Sequence, residues 1–178
     1  MEKLNNEQIL NILKEEYSSA VVGHHEFRDL LCVDVLGKDI VPFISLLRTD
    51  SRLDFSLFVD LSGVDYLEYN DSTHLERFAI IYILYSFAND RRVKLRAFVS
   101  ESDPVIHTIS HEYKGANWAE REVYDMFGIH FKGHPDLKRI LMPDNYGSHP
   151  LRKDYPLKGL GERSQFPKYN IYNKLNRE

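Results

Sequence analysis

The sequence predicts an α+β fold: a mixed or antiparallel sheet packed with helices, followed by an extended, proline-rich C-terminal arm. Three observations carry that expectation. Apolar residues recur at helical spacing near the start, and segments in the middle alternate or run apolar as strands do. The periodicity then ends at Gly128, and five of the seven prolines lie in residues 131–178. The expected division is a body over residues 1–130 and an arm over 131–178.

From Glu7 to Tyr17, residues Ile9, Leu10, Ile12, Leu13 and Tyr17 mark the inner face of a helix, with Lys14, Glu15 and Glu16 elsewhere around the turn. Ala20–Val22 and Leu30–Val35 read as strands, separated by a polar stretch holding Gly23, His24 and His25. Lys38–Leu47 suits a second helix, since Pro42 falls near its first turn, where a missing N–H is tolerated. Phe55, Leu57, Val59 and Leu61 alternate with polar residues as in a half-buried strand, and Gly63 offers a bulge or bend. Phe78–Phe87 is apolar on both faces, the pattern of a central strand. After a tight turn at Asn89-Asp90, Val93, Leu95, Ala97 and Val99 alternate with Arg92, Lys94 and Arg96, giving one buried and one cationic face. Asp103 reads as the N-cap of a short helix over Pro104–Ser110. Asn117 and Glu120 have capping-box spacing at the head of a helix over about 117–127, which Gly128 ends as an αL cap.

Composition narrows the function classes. The chain of 178 residues is 43% hydrophobic and 28% charged, a folded protein able to bury a core. The single cysteine, Cys32, excludes a disulfide framework, a thiolate zinc site and a self-contained iron–sulfur cluster. No run approaches the ~20 apolar residues of a membrane helix, and Met1–Asn5 lacks the plan of a signal peptide, so a reducing compartment such as cytoplasm is expected. The net charge of -4 conceals an asymmetry. Residues 131–178 hold ten Lys/Arg against five Asp/Glu, and residues 1–130 hold thirteen against twenty-two. A basic arm punctuated by Phe131, Leu141, Met142, Tyr146, Leu151, Tyr155, Leu157, Phe166, Tyr169 and Tyr172 suits a segment laid along another surface, its own body's or a partner's.

Phosphate loops and nucleophile elbows are absent from the sequence. His107/His111 and His130/His134 have i, i+4 spacing but no accompanying third ligand. Glu120 and Glu122 point about 200° apart on a helix and do not converge as an acid–base pair. The helix carrying them is nonetheless unusual, because Glu120 falls inside its apolar arc of Ala119, Val123, Tyr124, Met126 and Phe127. Asp125 lies in the last turn, where it opposes the helix dipole and needs a compensating partner. The simplest reading gives Glu120 to the capping box and Asp125 to Arg121, one turn away. In the arm, two prolines bracket Leu151-Arg152-Lys153-Asp154-Tyr155, a set suited to meeting carboxylates while apolar anchors bury. The Arg92/Lys94/Arg96 row is too small to argue for nucleic acid.

The run Glu120-Arg121-Glu122-Val123-Tyr124-Asp125-Met126-Phe127-Gly128-Ile129, followed by Phe131, Gly133-His134-Pro135 and Lys138-Arg139-Ile140-Leu141, resembles the signature of the 30 kDa (NuoC-type) subunit of respiratory complex I. His149-Pro150-Leu151-Arg152-Lys153-Asp154-Tyr155-Pro156-Leu157 resembles that family's second hallmark. The dense match covers residues 116–158, and Val64-Asp65-Tyr66 is compatible with it. The resemblance implies a structural, non-redox subunit in the peripheral arm of a proton-pumping NADH:quinone oxidoreductase, a translocase. No catalytic site, metal or cofactor is expected on this chain; FMN, iron–sulfur clusters and quinone belong to partner subunits. The implied partners are the D, B and I type subunits, without nucleic acid, on the cytoplasmic face of the bacterial inner membrane and in contact with it only through the complex. Glu120, Arg121, Glu122 and Asp125 are then interface ion pairs or a latch holding the arm, with Arg139 and Arg152 as arm-side cations. His134, His149, Lys153, Asp154 and Tyr155 join them as interface or latch candidates. Membrane-bound hydrogenases and other quinone-linked relatives of complex I share similar signatures, and the equivalent subunit of one is the alternative. A stand-alone enzyme using the histidine pairs is the third reading.

Overall fold

The computed structural model describes residues 3–69 and 76–162. Helix α1 (Asn6–Tyr17) starts at a capping box in which the side chains of Asn5 and Gln8 each accept the other's backbone N–H at 2.9 Å. Its inner residues Ile9, Leu10 and Leu13 are buried. Strands β1 (Val21–Phe27) and β2 (Leu30–Leu36) form a hairpin whose two turn residues, Arg28 and Asp29, both have positive φ, as a tight I′ turn requires. The polar stretch at Gly23–His25 is therefore part of β1 and not a connection. As the edge strand it stays largely exposed, so it never shows alternation. Helix α2 (Ile40–Thr49) holds Pro42 in its first turn and buries Ile40, Phe43, Ile44 and Leu47.

Strands β3 (Leu57–Asp65), β4 (Phe78–Ser86) and β5 (Arg91–Val99) complete a five-stranded mixed sheet in the order β1-β2-β5-β4-β3. Only the β2–β5 pair is parallel. Strand β4 is apolar on both faces because it is interior, but the middle position belongs to β5. The irregularity of β3 falls between Phe58 and Asp60, while Gly63 pairs regularly with Ile80. Gly63 marks no bulge; it is the place where the Phe127 ring presses on the strand.

A second, two-stranded parallel sheet joins β6 (Val105–His107) to β7 (His130–Lys132). The helix expected over Pro104–Ser110 is thus a short strand and turns. Its apolar residue Ile106 pairs with Phe131, and both are buried. That partner lies 25 residues downstream, beyond the reach of a local pattern. Helix α3 (Ala116–Phe127) follows, beginning at Gly115 without a side-chain cap and ending at Gly128 with φ +73°. Between Gly133 and Gly161 there is no further helix or strand.

One core unites the inner residues of α1, α2 and α3 with Leu31, Val33 and Val35 of β2, Phe78, Ile80, Tyr82 and Leu84 of β4, and Val93, Leu95, Ala97 and Val99 of β5. All of these strand positions share one face of the sheet. The helices therefore form a single layer on that face, and the cationic side of β5 lies on the other.

Candidate functional site

Helix α3 lies across the end of β3, where Phe127 packs on Gly63 so closely that a Cβ there would stand 2.6 Å from the ring. Two carboxylates of this helix are fully buried, Glu120 and Asp125. Each is held by a different segment of chain.

Glu120 turns away from Asn117, so the expected capping box does not form. Its Oε1 accepts the Ile109 N–H at 2.7 Å and its Oε2 accepts the Thr108 hydroxyl at 2.5 Å. His134 Nε2 lies 3.9 Å away, and its own N–H goes to the Asn117 carbonyl at 3.1 Å, while Nδ1 accepts from the Asp136 N–H. Two hydrogen bonds to the carboxylate lower its pKa less than burial raises it, and Glu120 is pushed up to about 7. Burial, and then the Glu120 charge, holds the Tyr82 hydroxyl well above its ordinary value.

Asp125 is met from the arm. Its Oδ2 accepts the backbone N–H groups of Ile140, Leu141 and Met142 at 3.0, 2.7 and 2.8 Å, and Oδ1 accepts Arg139 Nη1 at 2.6 Å. Burial favours the neutral acid, but these four donors outweigh it and keep the carboxyl below its usual range. Arg121 is not the partner of Asp125; it donates to the Lys138 and Arg139 carbonyls and stacks over the exposed Trp118 ring. Arg121 and Asp125 thus grip the same stretch of arm from one face of the helix.

The arm also closes the C-terminal end of α3, whose last carbonyls have no partner within the helix. Gly128 N–H takes Tyr124 O, Leu151 N–H takes Met126 O, Arg152 Nε takes Phe127 O at 2.6 Å, and Asp125 O receives His149 Nδ1 and Arg139. Two guanidinium groups at the negative end of the dipole add to the hydrogen bonding. Burial, foremost, lowers the pKa of His149. Gly128 is required twice over, by its positive φ and because a Cβ would stand 2.5 Å from His149 Nε2.

A second carboxylate clasp, which sequence reasoning did not identify as a site, lies at the end of β3. Asp65 accepts Arg77 through Nε and Nη2 at 3.0 and 2.9 Å, the Leu67 N–H, and the Lys153 N–H at 2.9 Å. Burial again raises the acid, and these donors reverse the sign to a lowered pKa. Arg77 also pairs with Glu101 and with Asp154 of the arm at 3.0 Å, and Arg77 and Arg152 both lie over the Phe78 ring. Val64-Asp65-Tyr66 is compatible with the family signature, whereas Arg77, just before the apolar run Phe78–Phe87, carries no local signal.

The remaining candidates are more exposed. Lys153 contributes its backbone and keeps its side chain outside, and Tyr155 shares its hydroxyl with Tyr146 at 2.5 Å and with Glu162 at 3.0 Å. Glu122 is exposed and pairs with no described residue. His111 contacts the Gly133 carbonyl and His130 lies edge-on to Tyr124. Among the described residues no three His, Cys, Asp or Glu side chains gather as a metal site.

The arm's apolar anchors divide by direction. Phe131 and Tyr146 are buried and Met142 packs on the core, while Leu141, Leu151, Leu157 and Leu160 project outward together with Trp118 of α3. The clasped arm thus leaves four leucines exposed along its course, and Phe166, Tyr169 and Tyr172 lie outside the described residues.

The sequence profile described as respiratory-chain NADH dehydrogenase, 30 Kd subunit, matches residues 33–160. The chain belongs to this 30 kDa subunit family. The NADH-quinone oxidoreductase C-type subunit of Geobacter metallireducens is 44% identical over 149 residues, covering 84% of this chain and 88% of that protein. The corresponding C-type subunit of Roseiflexus castenholzii is 44% identical over 154 residues, covering 86% of each. The trypsin-resistant fragment (1–134) of Nqo5 superposes with a TM-score of 0.60 at 31% identity, covering 72% of this chain and 98% of the fragment. A chain of the membrane-bound sulfane sulfur reductase, an archaeal respiratory membrane complex, gives a TM-score of 0.72 over 92% of this chain and 94% of its own, at 17% identity, a likeness of fold. Both clasps and the whole gripped stretch of arm lie inside the span matched by the 30 kDa family. Among the described residues of this family member, no helix is long and apolar enough to cross a membrane.

Proposed function

We propose that this chain is the non-redox scaffold subunit, of the 30 kDa type, in a proton-pumping NADH:quinone oxidoreductase, holding the quinone-reaction module of the peripheral arm together. The observation that carries the reading is the set of apolar side chains left exposed on a clasped arm. Polar clasps at Asp125 and Asp65 fix the arm to the body, while Leu141, Leu151, Leu157, Leu160 and Trp118 are left facing away from it. Exposed apolar anchors on a segment already held to the body suit a permanent interface, since part of the ordering cost is met before the partner arrives.

The partners on this reading are the D, B and I type subunits. FMN, iron–sulfur clusters and quinone reside in partner subunits, and the translocase activity belongs to the assembly. The location is the cytoplasmic face of a bacterial inner membrane, reached through the complex. The fold shared with the sulfane sulfur reductase chain supports the alternative of an equivalent subunit in a complex-I-related assembly such as a membrane-bound hydrogenase. The relatives at 44% identity weigh for the first.

Affinity isolation of the tagged chain from gently solubilised membranes, with partner identification and an NADH:quinone assay, tests the proposal. Cluster-bearing subunits and activity are expected. Hydrogenase subunits in their place favour the alternative, and recovery of the chain alone from a host with intact complex I refutes both.

A further inference from the structure

We infer that the exposed end of the sheet face opposite the helices, beside the hairpin turns, is a second protein-docking surface, which takes an acidic amphipathic segment of a partner chain. This goes beyond the scaffold proposal, which places partners on the arm side.

All three helices lie on one face of the sheet; on the other, Cys32, Ala79, Ile81 and Phe98 are buried, and the end nearest the hairpin turns is the exposed part. An uncovered face is ordinarily polar. Here β4 contributes the half-buried Ile83 and Tyr85 to the exposed end, and the bulged edge of β3 adds Leu57 and Val59, which are 41% and 43% exposed. At the end nearest the hairpin turns this face forms a groove of roughly 720 Å³, lined by Leu57, Val59 and Tyr85 together with three arginines, Arg28, Arg91 and Arg92, and two aspartates, Asp29 and Asp90, which are taken by Arg91 and Lys3. Phe27 and Phe87 stand exposed at the same end.

Unpaired cations outnumber unpaired carboxylates on this face, where Asp60 also has no ion pair among the described residues. Arg96 is paired with Asp34 at 2.7 Å and Arg91 with Asp29 at 2.7 Å. Arg28, Arg92 and Lys94 form no ion pair among the described residues. Asp60 lies two strands from Lys94 and accepts the Leu61 N–H. An apolar lining beside free cations fits a segment with an apolar stripe and flanking carboxylates.

The sign of the charge also selects the occupant. Residues 163–178 of this chain carry four Lys/Arg and one Glu, so the cations would repel them. A two-fold contact between copies would set Arg92 and Lys94 against themselves.

The experiment places a photo-crosslinking phenylalanine at Val59, and separately at Phe87, in the full chain expressed in its host, with the same probe at Leu157 reporting the arm side. Adducts from Val59 and Phe87 to one partner segment rich in Asp/Glu are expected. The Arg92→Glu/Lys94→Glu variant should lower that yield about tenfold or more, since two repulsive contacts cost over ~1.4 kcal/mol. Arg92→Lys/Lys94→Arg should retain it. A thermal melt of the double variant matching the parent separates loss of docking from loss of fold, and Arg92→Glu alone serves if the melts differ. Adducts to residues 163–178, to a second copy, to lipid or to nucleic acid overturn the inference, as does the absence of any adduct. A partner adduct from Leu157 alone leaves the scaffold proposal standing while this one fails.

Discussion

Asp125→Asn removes one charge and rearranges no volume, so it isolates the clasp. In the native protein four donors converge on two oxygens: Arg139 Nη1 at 2.6 Å and the N–H groups of Ile140, Leu141 and Met142 at 2.7–3.0 Å. An asparagine offers one acceptor oxygen. Whichever way the amide turns, its NH2 faces either the guanidinium or the three amides. The carboxylate is fully buried and the Arg139 side chain is 12% exposed, so the remaining cation has little access to water. Breaking one partner out of such a pair costs about 3–5 kcal/mol. The loss falls first on the arm, which is held to α3 by polar contacts and few buried apolar groups. A local cost of ~3 kcal/mol corresponds to a fall of roughly a hundredfold in hydrogen-exchange protection for the amides of Ile140, Leu141 and Met142. Exchange measured on the full chain at neutral pH reads this directly. The native arm should also loosen in acid. Because Asp125 titrates below the usual 3.8, its contribution is present above that value and is lost as pH falls through the lowered folded-state pKa. The asparagine variant should show no such step. Protection within about threefold of the parent, against the roughly hundredfold change expected, would refute the clasp.

Glu120 carries the opposite pH sign. Its pKa rises from 4.5 unfolded to about 7 folded, so the native state binds the extra proton between those values, and stability falls as pH climbs from about 4.5 to about 7. Glu120→Gln should flatten urea midpoints over that window by an amount of order ~3 kcal/mol at most, and an unchanged slope rejects the assignment. Gly63→Ala puts a methyl 2.6 Å from the Phe127 ring. It should cost about 1–3 kcal/mol and lower the melting temperature by several degrees, with partial recovery on adding Phe127→Leu. Glu122→Lys reverses an exposed charge that binds no described residue. Arm protection should stay at the parent level while partner recovery in a pull-down drops; full recovery removes Glu122 from the interface.

What the sequence determined by itself is whatever depends on near neighbours. The helical period over Glu7–Tyr17, the alternation that gives β5 one apolar and one cationic face, and the αL stop at Gly128 are all local, and each stands in the structure. The irregular course after β7 follows from the prolines and the end of periodicity. Only the tertiary structure decided what satisfies the buried charges. Periodicity locates a carboxylate on an apolar arc but carries no information about which distant donor meets it. Glu120 is met by Thr108 and Ile109, in a segment whose local pattern suggests a helix and whose actual pairing is with β7. Asp125 passes over Arg121 for Arg139 and three arm amides, and Asp65 waits on Lys153, 88 residues away. Burying a charge without donors costs far more than bending a proline-stiffened arm into place. The arm's path along α3 is therefore set by the two carboxylates it must reach.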